Sequence, residues 1–153
     1  MRKATVVLGL GNPLMADEGI GVHLIERLAR CAERYPDVDL IDAGTGGMSL
    51  LHLIEGRAKA IFLDCAFMGL EPGSLRRFTP EEVRTTKVLA HQSLHEADLL
   101  RILSLAEQLG QCPEEIIIFG IEPEVVEPRQ GLSAALLDKT EDYLAEIGCA
   151  LGP

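Results

Sequence analysis

Hydrophobic and polar positions along this chain follow two periods. Residues 4–8, 39–42, 58–65 and 115–121 are short apolar or β-branched runs that read as strands. The run 58–65, with Ile61, Phe62 and Leu63 at its centre, is apolar as a parallel strand covered on both faces should be. Residues 74–78 alternate instead, and read as an edge or antiparallel strand stopped by Pro80. Between the strands apolar positions recur at helical spacing. Leu24, Ile25, Leu28 and Ala32 predict a helix over about 18–34, ended by Tyr35-Pro36-Asp37. Met48, Leu50, Leu51 and Ile54 predict a second, closed by Gly56. Leu99, Leu100, Ile102, Leu103 and Ala106 lie in a third, over 93–109, which a Ser93–Glu96 capping box opens and Gly110 closes. Ser133 reads as the cap of a final helix reaching about 148. No period assigns residues 85–92.

Strands alternating with helices predict a three-layer α/β/α sandwich with a mostly parallel, twisted sheet of about five strands. At 153 residues the chain reads as a single domain, 1–153, with no internal repeat or linker. Its 47 % apolar and 25 % charged residues are those of a soluble globular protein, and no run has the apolar length of a membrane span. Met1-Arg2-Lys3 leads at once into a strand, so no signal peptide is evident and a cytoplasmic location is expected. Cys31, Cys65, Cys112 and Cys149 are scattered without a C-x-x-C pair, which favours reduced thiols over disulfides or zinc. The formal charge of −10 disfavours a nucleic-acid partner and suits a cationic or metal-bearing one.

One stretch organises the rest: Gly9-Leu10-Gly11-Asn12-Pro13-Leu14-Met15-Ala16-Asp17-Glu18-Gly19-Ile20-Gly21-Val22, a glycine-rich strand-to-helix loop. Leu14 stands where a dinucleotide fingerprint needs its third glycine, and no Gly-Lys-Ser/Thr comes after it, so it is neither that fingerprint nor a P-loop. Asp17 and Glu18 fall at the helix start, where the dipole alone accounts for acids. Carboxylates recur, however, at other predicted strand ends: Asp42 after the second, Asp64 after the third, Glu122 after the last. In an open parallel sheet these ends share one edge. Carboxylates gathered there repel one another unless a cation binds or protons are shared. The plainer alternative is that some, Asp42 above all, only accept hydrogen bonds from loop N–H groups.

Of the histidines, His23 and His52 read as surface or core residues on helices. His91 and His95 are four apart, but Gln92 replaces the glutamate of a zinc-protease helix, and Ser93 starts a helix between them. One histidine at the mouth of the acidic crevice fits better. Nucleophile chemistry is poorly supported. There is no G-x-S-x-G elbow, and strand period turns Cys65 away from whatever Asp64 faces.

The opening stretch, together with Asp42-Ala43-Gly44-Thr45, Asp64, Ser93-Leu94-His95 and Gly120-Ile121-Glu122-Pro123-Glu124, then Glu127 and Gly131-Leu132-Ser133, resembles the motifs of the [NiFe]-hydrogenase maturation endopeptidases, in order and over nearly the whole chain. The resemblance implies a phosphorylase/hydrolase-like α/β fold and an aspartic-type endopeptidase. Such an enzyme clips the C-terminal extension from a hydrogenase large-subunit precursor after nickel insertion. It implies that Glu18, Asp64 and His95 hold a metal taken as a mimic of the substrate's nickel, with Asp42 linked to activity. His91 competes with His95, but Ser93 two residues before His95, and Leu99 and Leu103 after it, keep the motif without a gap. It further implies a nickel supplied by the substrate and a precursor as partner. Three such ligands without a thiolate make an open, weak site, so no tightly bound metal of the enzyme's own is expected, and the enzyme is expected to be a monomer. Two carboxylates and an imidazole suit nickel or zinc and leave positions open for a substrate. Two rival readings remain. A peptidyl-tRNA hydrolase shares Gly-Leu-Gly-Asn-Pro but not the acidic Leu14-Met15-Ala16-Asp17-Glu18 continuation, and a nickel-sensing assembly module would keep the crevice without the cleavage.

Overall fold

Every apolar run predicted as a parallel strand is one, and the first two extend past the carboxyl ends of their runs. β1 (Thr5–Leu10), β2 (Val38–Gly44), β3 (Lys59–Cys65) and β5 (Glu115–Ile121) are parallel, while β4 (Leu75–Phe78) pairs antiparallel with β5. The order across the sheet is β2-β1-β3-β5-β4, so the alternating run 74–78 is both antiparallel and at an edge. The computed structural model describes residues 2–85 and 94–152, with the side chains of 84–85 and 94–98 outside that set.

Alternation along the strands sorts side chains into two cores. Val7, Ile61, Leu63, Cys65, Phe119 and Ile121 pack beneath α1 (Ile20–Ala29) and α6 (Thr140–Leu151). Val6, Leu8, Phe62 and Ile118 face the other way, towards α2 (Ser49–Ile54) and α4 (Leu94–Gln108). This is the expected three-layer arrangement.

The helices depart from expectation in three places. The helix expected over 18–34 is a 3-10 turn at Ala16–Gly19, then α1, then a second 3-10 turn at Ala32–Arg34. The N–H groups of Arg30 and Cys31 reach back three residues, to Arg27 and Leu28, which tightens and ends the α-helix early. The expected single helix over 133–148 is also divided, into α5 (Ala134–Leu137) and α6. Near the junction the Thr140 hydroxyl donates to the Leu136 carbonyl at 3.2 Å. A helix that sequence periodicity does not reveal, α3 (Pro80–Thr85), comes after β4. Its signal lies in Thr79-Pro80-Glu81-Glu82. The Glu82 N–H donates to Thr79 Oγ1 and the Thr79 N–H to Glu82 Oε1, a reciprocal cap with proline in the first helical position. Residues 86–93, including most of the unassigned stretch, His91 and the Ser93 cap, lie outside the described residues.

The chain leaves β1 to form β2 on one side, then forms β3 on the other side of β1. Connections therefore diverge at the carboxyl ends of β1 and β3. Such a switch point opens a crevice in which α/β proteins bind ligands.

Candidate functional site

At that switch point the glycine-rich turn lies directly on the sheet. A Cβ added at Gly21 would stand 2.3 Å from the Leu63 carbonyl oxygen and 2.5 Å from that of Leu10, and one at Gly9 only 2.4 Å from the Gly21 oxygen. The first turn of α1 can rest against β1 and β3 only because both positions lack side chains. Gly11 has φ +128°, and a Cβ there would overlap the Glu18 carbonyl at 1.9 Å. The motif's glycines thus bring Glu18 close over the end of the sheet.

Asp17 and Glu18, neighbours in sequence, have different surroundings. Asp17 is fully buried. Its carboxylate accepts the N–H groups of Glu124, Val125 and Ser133 and the Ser133 hydroxyl, at 2.7–2.9 Å. Burial raises its pKa, but these four donors outweigh burial and hold it below the usual carboxylate range. Asp17 is thus no mere helix-start acid, because it fastens the loop after β5 to the loop after β1. Ser133, in turn, gives its hydroxyl to Asp17 and makes no side-chain cap for α5, which corrects the capping role read from sequence. Beside this clamp Met15 bridges to Arg129, and Ala16 takes φ +52° with its N–H on the Arg129 carbonyl.

Asp64, at the end of β3, is 3 % exposed, and its Oδ1 accepts the Cys65 N–H at 2.8 Å. Its register partner in β5 is Gly120, where a side chain would crowd Ala66, Met68 and Phe78, its Cβ standing 3.1 Å from that of Ala66. Asp64 borders a small recess with Phe78, Leu99, Ile118 and Gly120, on the α4 side of the sheet. Cys65 points to the opposite core, as period two requires. Burial pushes its thiol pKa strongly up, and the nearby charges of Asp64, Glu18, Asp17 and Glu122 push it further. Four carboxylates therefore surround the end of β3. Glu122 is committed to the backbone, accepting the N–H groups of Met68 and Leu70 at 2.6 and 3.1 Å.

Asp42 stands on the edge strand β2, exposed, with its Oδ1 accepting the Gly44 N–H at 2.9 Å. Gly44 in turn accepts the Gly11 N–H, so this Asx turn supports the motif loop from its flank. His95 falls in the first turn of α4, one turn before Leu99, whose side chain shares the recess with Asp64. The His95 side chain is outside the described set, as is His91. Among the described residues no three His, Cys, Asp or Glu side chains form a metal-binding group. His23 lines a separate hollow of about 370 Å³ with Pro13, Ala16 and Leu137. Its buried Nε2 has no hydrogen-bond partner among the described residues, and burial with Arg27 nearby pushes its pKa down.

A mostly parallel sheet with buried carboxylates gathered at its switch point defines an α/β protein with an acidic crevice. The chain belongs to the hydrogenase maturation protease family, whose HycI model matches residues 22–148. It is 36 % identical over 141 residues to the hydrogenase expression/formation protein HoxM of Cupriavidus necator, covering 89 % of this chain and 70 % of that one. It is 35 % identical over 153 residues to the hydrogenase 2 maturation protease of Escherichia coli, covering 95 % and 89 %. The solved structure of the hydrogenase maturating endopeptidase HybD from E. coli superposes with a TM-score of 0.82 at 31 % identity, over 99 % of this chain and 92 % of that one. Family membership makes the protein a peptidase of hydrogenase maturation. It replaces the peptidyl-tRNA hydrolase and non-enzymatic module as readings. No helix among the described residues is long and apolar enough to cross a membrane.

Proposed function

We propose that this protease removes the C-terminal extension of a [NiFe]-hydrogenase large-subunit precursor once nickel is in place, and that it reads the nickel as part of its substrate. The observation that carries this reading is the buried Asp64 carboxylate at the switch point, beside Gly120 and close to the Glu18 turn. Glu18 and Asp64 supply oxygen ligands and His95 a nitrogen ligand to a cation held mainly by the precursor. Oxygen and imidazole donors complete the shell of a divalent metal but bind it weakly without thiolates. The enzyme alone therefore retains no tightly bound metal. Asp42, on the same sheet edge, assists the cleavage step of an aspartic-type peptidase. The enzyme works as a cytoplasmic monomer, without nucleic acid or membrane.

The test is incubation of the purified enzyme with nickel-loaded and nickel-free precursor, read as loss of the extension by mass spectrometry. Only the loaded precursor is shortened, and pretreating the enzyme with a chelator that is then removed leaves the rate unchanged. Efficient cleavage of the nickel-free precursor, or a requirement for zinc in the enzyme, overturns the reading.

A further inference from the structure

Five large apolar side chains stand exposed on the loops that leave the carboxyl ends of the parallel strands. Leu14 comes after β1, Met48 after β2, Phe67 and Leu70 after β3, and Val126 after β5. Among the described residues only two other large hydrophobics, Leu109 and Leu137, are as exposed. Apolar exposure is thus concentrated around the acidic crevice, as at surfaces that bind other proteins.

Leu14 is the most exposed of the set, at 63 %, yet its backbone is pinned. Its N–H donates to Asn12 Oδ1 at 3.0 Å, its carbonyl accepts the Arg129 N–H at 3.0 Å, and the Met15 N–H closes the turn on the Asn12 carbonyl. Val126 comes directly after Glu124 and Val125, whose N–H groups are both held by Asp17. A mobile loop tip loses entropy when it docks, whereas a side chain on a fixed backbone loses little. Leu14 and Val126 have the character of preorganised anchors.

We propose that Leu14, Met48, Phe67, Leu70 and Val126 form the docking rim for the folded large-subunit precursor, with Leu14 and Val126 as its principal anchors. The inference rests on the reading above and adds where the substrate is gripped. Charge selects this occupant. The loops that carry these side chains leave the same strand ends as Glu18, Asp64, Asp17 and Glu122, all near enough to act on the Cys65 thiol, so a matching surface brings a cation towards them and apolar residues to the rim. A nickel-bearing protein surface meets both requirements, whereas a second copy of this acidic chain brings no cation to the centre.

The experiment measures steady-state cleavage of nickel-loaded precursor by Leu14→Ser, Val126→Ser and the double variant, with circular dichroism to verify folding. Leu109→Ser serves as control, because Leu109 lies beyond the far end of α4, at the opposite edge of the sheet. Each rim variant raises KM about fivefold and the double variant about twentyfold or more, consistent with loss of buried anchors. The control leaves KM unchanged. Folded rim variants with the KM of the parent overturn the docking rim while leaving the proposed function standing. A parent enzyme that cuts no precursor overturns the function itself. Light scattering on the parent and double variant supplies the remaining outcome: a parent dimer that the double variant loses assigns the rim to self-association and overturns the proposal.

Discussion

Asp17 and Ser133, 116 residues apart, are joined twice: the Ser133 N–H reaches one carboxylate oxygen at 2.7 Å and its hydroxyl the other at 2.8 Å. With the N–H groups of Glu124 and Val125 on the same carboxylate, this is the covalently unlinked knot of the site. It fixes the position of Glu18, the next residue. Asp17→Asn loses the charge and turns an amide N–H₂ towards donors. We expect a loss of about 2–4 kcal/mol from charge-assisted bonds left unmade, measured as a lower urea midpoint at pH 7.

The same carboxylate sets an acid limit. Its folded pKa lies below the unfolded one, so the stabilisation is complete above the unfolded value, near pH 4, and fades as pH falls through the folded value. Urea titrations should show wild type losing stability below about pH 4 more steeply than Asp17→Asn. Parallel curves for the two would remove Asp17 as the source.

The contact between helix and sheet predicts intolerance at Gly21. Its added Cβ would meet two strand carbonyls, and backbone cannot swing aside as a side chain can. Gly21→Ala should cost about 3 kcal/mol or more, at the upper end of overpacking. Thermal unfolding and amide exchange in α1 would report it, whereas Gly131→Ala, with open space around its Cβ, should show only the smaller strain of its positive φ.

Removing a single proposed ligand should separate chemistry from folding. Glu18→Gln and Asp64→Asn keep shape and remove charge, so cleavage of nickel-loaded precursor should fall about a hundredfold. The unfolding midpoint of Glu18→Gln is measured beside its rate, so that a loss of fold is not read as a loss of chemistry. Asp64 is buried, so its variant is read by circular dichroism before its rate is interpreted. Parent-like cleavage by Glu18→Gln would exclude it from the site.

Cys65 should be dispensable. It is 5 % exposed, and burial together with four neighbouring carboxylates disfavours its thiolate. Cys65→Ala should cleave at the parental rate, and iodoacetamide should leave the folded enzyme active. Inactivation that Cys65→Ala abolishes would contradict this.

The parallel strands were legible because each is a local apolar run, and the acidic edge because Asp64 and Glu122 stand at the ends of such runs. The fate of Asp17 was not legible. It looks like Glu18 in sequence, and the difference between the two is a set of donors more than a hundred residues away. Ser133 misled for the same reason, since a serine before a helix caps it unless a distant carboxylate takes its hydroxyl. The α3 helix was missed at Pro80, where proline read as the end of a strand is equally the first residue of a helix, and the Thr79–Glu82 pair decides between them.

The knot at Asp17 also times the birth of the enzyme. A ribosome adding about 5–20 residues per second needs on the order of 6–25 s to pass from Asp17 to Ser133. Throughout that interval the carboxylate has no donors from the far loop and stays hydrated, because burying it bare is costly. The knot therefore closes only after Ser133 has been made, and a nascent chain that stops short of it has the motif loop without its clamp.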